Sequence, residues 1–157
     1  MRLPIGELLV KQGVITTEQC RQVLERQQQT HRPFGEIAEE LLGVSGKSVE
    51  KAWAEQYASE TRWVDAATFN VDSEARALVN RRQAWQFRIL PLGYDGGELM
   101  VCTTKEGLVR AMNFMTRQTP GPCYFVLSEP ESLGLALMRH YPMDGMTAES
   151  VTRGVIR

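Results

Sequence analysis

The sequence predicts an α+β chain: an N-terminal four-helix half, built as a duplicated helix–turn–helix unit, packed on a small C-terminal half of about three strands and three helices. Three observations carry that expectation. Residues 4–27 (PIGELLVKQGVITTEQCRQVLERQ) and 33–56 (PFGEIAEELLGVSGKSVEKAWAEQ) overlay at a constant offset without a gap. Beyond Tyr57 the pattern changes to a β-β-α-β-α order. Within that order Asp95-Gly96-Gly97 separates two apolar runs, a strong hairpin signal because both central residues of the tight turn need φ above zero. Residues 1–57, 58–142 and 143–157 are the expected helical half, mixed half and frayed tail.

In the first repeat, Pro4 suits a first helical turn because its fixed φ is already helical, and Leu8 and Leu9 continue the apolar face. Gly13 is the residue to end that helix, and Thr16 or Thr17 opens the next. Cys20, Val23 and Leu24 then recur on one face. In the second repeat Ser45 takes the N-cap place before Val49, Ala52 and Trp53. The polar linker of residues 28–32 is long enough only to turn the chain back. Two copies are too few for a solenoid, so the expected arrangement is a pseudo-symmetric pair inside one compact unit.

Past the repeats, Trp63 and Val64 suggest a short strand, and Asp72 or Ser73 caps a helix running to about Asn80. The runs 87–94 and 98–103 form the hairpin. Pro91 cannot donate to a ladder, which places its strand at an edge or at a bulge. Residues 108–117 read as a helix with Leu108, Met112 and Met115 on one side. Residues 119–122 (TPGP) stop it, 123–127 read as the third strand, and 130–140 as a last helix.

The composition is that of an ordinary globular protein: 157 residues, 43% apolar, 24% charged, formal net charge −1. Charge is balanced in each segment as well, which excludes DNA or RNA binding through a basic face. No apolar run approaches a membrane span and residues 1–4 show no signal-peptide core, so a cytoplasmic placement without membrane insertion is expected. Cys20, Cys102 and Cys123 each sit in an apolar pattern and read as buried thiols. With His31 and His140 as the two histidines, no spacing suggests a metal site. No nucleophile–base pair and no Walker-type loop occurs. Residues 43–48 (GVSGKS) lack the first-glycine spacing of that loop and read as a helix start. Residues 81–88 (RRQAWQFR) interleave cations with aromatics and read as a helix-to-strand junction rather than a stacking platform. Neither catalytic residues nor a cofactor is expected.

The length, spacer and glycines of the paired units resemble the MshEN domain, the N-terminal regulatory domain of type II secretion and type IV pilus assembly ATPases. That family carries two copies of an RLGxxLVxxGLIxxxxLxxxLxxQ pattern, and residues 87–104 are similar to its strand–turn–strand. The resemblance covers about residues 2–141, without the ATPase part. It implies a regulatory module that binds cyclic di-GMP, one motif serving each half of the dinucleotide. The motif positions fall on Ile5, Gly6, Gly13, Leu24 and Gln27 in the first unit, and on Phe34, Gly35 and Gln56 in the second. Val49 and Trp53 stand where the second motif has leucines. A glycine at a helix start lets a ligand approach unpaired backbone N–H groups, and a terminal Gln offers a donor and an acceptor to a base edge. Both motif arginines are replaced, by Pro4 and Pro33, with Arg2 and Arg32 as candidate substitutes nearby. Proline cannot supply the bidentate grip of a guanidinium, so weakened or lost binding is the expected consequence. The alternative implied by the same resemblance is an adaptor that docks onto a secretion or pilus assembly component without nucleotide. Exposure of Trp63, Trp85 or Phe87 would mark it.

Overall fold

The computed structural model describes residues 5–119 and 121–152. The chain divides into two compact units, residues 1–60 and 61–157.

The first unit holds α1 (Ile5–Lys11), α2 (Thr17–Thr30), α3 (Phe34–Leu42) and α4 (Gly46–Glu60). Local sequence sets several of their ends. The hydroxyl of Thr16 accepts from the Gln19 N–H while the Gln19 amide accepts from the Thr16 N–H, a reciprocal box that starts α2. Ser45 Oγ accepts from the Ser48 N–H at 3.2 Å and starts α4. Gly13 and Gly43 take the left-handed conformation (φ 75 and 69) that terminates α1 and α3. Gly43 does so one residue later than the repeat offset requires, which lengthens α3 and brings Leu42 onto the core.

The helices pair across the duplication rather than within it: α1 lies chiefly on α4, and α2 on α3. The first helix of each repeat thus packs on the second helix of the other. The core follows the same rule. One cluster joins Leu8, Leu9 and Ile15 to Ala52, and the other joins Ile37 and Ala38 to Val23. At the repeat offset Leu8, Leu9 and Ala52 correspond to Ile37, Ala38 and Val23, so the second cluster is the symmetry image of the first. Neither repeat closes a core alone.

In the second unit, β1 (Leu90–Asp95), β2 (Glu98–Thr103) and β3 (Cys123–Leu127) form a sheet of order β1-β2-β3, the first pair antiparallel and the second parallel. The hairpin turns on Gly96 and Gly97, both at positive φ, with Asp95 paired to Glu98. Pro91 meets both of its expected placements. Its strand is at the sheet edge, and the register slips between Pro91 and Gly93. Trp63 adds a single parallel bridge to Leu127. The helices are α5 (Ser73–Arg76), α6 (Arg81–Phe87), α7 (Leu108–Gln118), α8 (Pro130–His140) and α9 (Ala148–Thr152). Helices and a small sheet together make this an α+β fold.

Three local expectations are corrected. The helix placed over 73–80 stops after one turn, because Asn80 caps the next helix, α6, in a reciprocal box with Gln83. The run from Phe87 is not all strand: Arg88 takes a left-handed turn (φ 53) that ends α6, and β1 begins at Leu90. Within the tail expected to fray, 143–157, residues 148–152 form α9, which packs on α8 with Val151 buried, and residues 153–157 lie outside the described residues. The physical reason is Gly134, whose missing side chain lets the α8 backbone approach that of Ala148.

Candidate functional site

Gly6, in the first turn of α1, is buried, and a Cβ there would lie 2.8 Å from Cys20 Sγ and 2.9 Å from Phe34 Cζ. Having no side chain, it lets α2 and the start of α3 close onto α1. Around this contact opens a cavity of about 410 Å³, lined by Gly6, Glu7, Cys20, Leu24, Gln27, Phe34 and Gln56. Leu24 and Gln27, three residues apart on α2, present one face, with Leu24 47% exposed at the rim. Gln27 Nε2 donates to the Arg32 carbonyl at 3.2 Å, which fixes the amide beside the α2–α3 turn. Phe34 follows Pro33, whose extended ψ of 142 sets the entry into α3. Gln56 reaches the same cavity from α4. Burial, together with the Glu7 carboxylate, pushes the Cys20 thiol above its ordinary pKa, so it stands in the lining as a neutral group.

Five sequence-predicted positions, Gly6, Leu24, Gln27, Phe34 and Gln56, are therefore brought together. Gly13, Gly35, Val49 and Trp53 are not in the lining. Gly13 serves the end of α1. Gly35 is buried against its own repeat partner, Val49, whose Cγ1 would lie 2.4 Å from an added Cβ. Trp53, half-buried, tilts onto Tyr57 with ring centroids 5.4 Å apart. The cavity thus draws Gly6, Glu7, Cys20, Leu24 and Gln27 from the first repeat and Phe34 and Gln56 from the second. Glu7 and Cys20 are members that motif reasoning missed; their signal was the alignment itself, Glu7 with Glu36 and Cys20 with Val49.

The fate of the replaced arginines is visible in part. Arg2 and Pro4 lie outside the described residues, as does the side chain of Ile5. Arg32 is no free substitute: its guanidinium is held by Glu36 and by both Glu40 oxygens, at 2.9 and 2.6 Å, along α3. These partners raise the Arg32 pKa and lower that of Glu40. The aromatic positions of the second unit also sort clearly. Trp85 is buried with Nε1 donating to the Tyr141 carbonyl at 2.7 Å, and Phe87 stacks on Phe114 at 4.1 Å beneath the Arg110 guanidinium. Trp63 remains 45% exposed. Among the described residues no helix is long and apolar enough to cross a membrane.

Comparison with known proteins adds the following. The MshEN domain family matches residues 59–147. The type IV pilus assembly ATPase PilB of Thermus thermophilus is 27% identical over 152 residues, covering 94% of this chain and 16% of that protein. PilB of Myxococcus xanthus is 22% identical over 151 residues, covering 96% of this chain and 26% of that protein. The chain therefore spans about a sixth to a quarter of the length of these relatives. A solved structure of MshE with cdg (cyclic di-GMP) superposes with a TM-score of 0.51 at 26% identity, covering 89% of this chain and 100% of that one.

Proposed function

The chain belongs to the MshEN domain family, and from that premise we propose that its helical unit is a regulatory site for a cyclic dinucleotide of the cyclic di-GMP type. The observation that carries the reading is the convergence of Gly6, Leu24, Gln27, Phe34 and Gln56 on one cavity of about 410 Å³. Each supplies what a purine needs. The Phe34 ring and Leu24 offer apolar faces to a base, and the Gln27 and Gln56 amides offer donors and acceptors to its edge. The Glu7 carboxylate accepts from the N–H groups that distinguish guanine. Gly6 makes room.

The site is one-sided. Its cavity rests mainly on the first repeat, while the Gly35 face of the second is filled by Val49. Without the motif arginines the grip on phosphate is lost, at about 1.5–3 kcal/mol for each charge-assisted contact. Two such contacts amount to a roughly thousandfold weaker complex. The expected behaviour is binding in the micromolar range. Isothermal titration of the chain with cyclic di-GMP checks it: no heat at ~100 μM ligand removes the reading for the native chain. Heat that appears only after Pro4→Arg and Pro33→Arg shows a site that has degenerated. Any regulatory output passes to a partner; that two relatives are type IV pilus assembly ATPases supports a partner of that machinery.

A second reading, an adaptor that docks onto a secretion or pilus component without nucleotide, draws on Trp63, a large aromatic left 45% exposed. Trp63→Ala should then abolish co-purification with a pilus assembly component while leaving the dinucleotide titration unchanged.

A further inference from the structure

A second cavity, of about 590 Å³, lies in the other unit, between the start of α6 and the connection from α8 to α9. We propose that it docks an acidic segment of a partner protein, one that carries an apolar anchor side chain. The proposal stands independently of the dinucleotide reading, because every residue it uses belongs to residues 61–157.

Charge is the first argument. Arg81 and Arg82 line the cavity, are exposed, and occupy the first two positions of α6. Among the described residues neither makes an ion pair or a side-chain hydrogen bond, whereas Arg21 and Arg32 each clasp two glutamates. Their position is unfavourable in the free protein. A helix N-terminus carries partial positive charge, the first turn of α6 has no acidic residue, and the Asn80–Gln83 box already caps its N–H groups. Two cations with no intramolecular partner among the described residues leave the mouth open to an external anion. Asp144 is the one carboxylate in the lining, so the mouth keeps a positive excess.

Shape and polarity supply the second argument. Met138, Met143 and Met146 line the same cavity with unbranched, polarisable side chains that adapt to varied apolar partners. Met138 continues outward to Leu135, three residues back on α8; the two are 42% and 47% exposed. An apolar strip thus leads into a pocket rimmed by the Arg81 and Arg82 guanidiniums. A side chain can enter a concave site of this kind, whereas a lipid bilayer needs a projecting apolar surface, so an acidic peptide is favoured over a membrane.

The test uses the full chain and a fluorescein-labelled peptide of about 14 residues with leucines at i, i+3, i+4 and i+7 and glutamates elsewhere. A second peptide carries lysine in place of glutamate. Fluorescence anisotropy should show binding of the glutamate peptide at ~100 μM or tighter, about tenfold weaker or more in the R81E/R82E variant, and none of the lysine peptide. The variant's thermal midpoint should be unchanged or higher, since glutamates suit a helix start, and its dinucleotide titration should match the parent. No binding of the glutamate peptide at ~1 mM overturns the proposal, as does equal binding by R81E/R82E or by the lysine peptide. Capture of the parent but not the variant by phosphatidylglycerol vesicles, with no peptide bound, overturns it in favour of a lipid surface.

Discussion

At Gly35 a methyl group would sit 2.4 Å from Cγ1 of Val49, a separation no pair of carbon atoms tolerates. Valine is branched at Cβ and stiff at χ1, so it cannot swing aside cheaply. Gly35→Ala should gain about 1 kcal/mol of helix propensity and lose more to overpacking, about 1–3 kcal/mol, for a net destabilisation read by urea unfolding. Adding Val49→Ala should recover part of the loss; if it does not, the glycine serves something other than this contact. At Gly6 the neighbours are a thiol and the edge of a ring that also line the cavity, so Gly6→Ala should act on ligand more than on folding. The cysteines give an independent probe of the same place. Cys102 is buried and its thiol is pushed up to about 12, while Cys20 and Cys123 are half-buried and raised as well. Alkylation proceeds through the thiolate, so every rate should climb with pH, and at pH ~8 iodoacetamide should modify Cys20 and Cys123 well before Cys102. Saturating cyclic di-GMP should slow Cys20 alone, as read by mass spectrometry. Protection of Cys123 instead would place the ligand elsewhere.

The element whose docking rests on one residue is α9. A Cβ at Gly134 would come within 2.6 Å of the Ala148 Cα and 2.7 Å of its carbonyl oxygen, backbone atoms that move only if the whole helix moves. Gly134→Ala should therefore lift α9 from α8, expose Val151, and break the 2.8 Å hydrogen bond from the Arg88 guanidinium to the Ser150 carbonyl. The cost should be about 1–3 kcal/mol, with amide exchange in residues 148–152 rising towards that of an unfolded segment. Retained protection there would show that α9 is held by other contacts. This element also marks what sequence reading can reach. The repeats, the Gly96-Gly97 turn and the edge placement of Pro91 were legible because each is a local rule of spacing, φ or a missing donor. The turn at Arg88 and helix α9 were not, because tertiary contacts make them. Thr103 Oγ1 donates to the Arg88 carbonyl at 2.8 Å, and α9 depends on a glycine in another helix. At the candidate site the same division holds: motif spacing found Gly6, Leu24, Gln27, Phe34 and Gln56. The withdrawal of Gly35 and Trp53 was hidden, since it depends on how Val49 and Tyr57 pack.

The two units differ in how much core each owns, and that difference bears on where a ligand can be felt. Among the described residues the first unit buries few apolar side chains, namely Leu8, Leu9, Ile15, Val23, Ile37, Ala38 and Ala52, two of them alanines. The second buries a much larger set that includes Trp85, Ile89, Leu90, Leu108, Phe125, Leu133 and Leu137 around a hydrogen-bonded sheet. A helical unit of about 60 residues with so small a core is marginal by itself, because a small domain buries a lower fraction of its surface. It also closes only when the first helix of each repeat meets the second helix of the other, so anything that holds α1, α2, α3 and α4 together acts on all of it. A ligand in the Gly6 cavity touches all four through Gly6, Leu24, Phe34 and Gln56. Ligand at 100 times its Kd should stabilise that unit by about 2.7 kcal/mol. Hydrogen exchange should accordingly slow across residues 5–60 when cyclic di-GMP is added, with the sheet strands at 90–103 and 123–127 unchanged. If protection appears in the strands while the helices stay as they were, the ligand does not bind at the helical cavity, and the dinucleotide reading of the repeat falls.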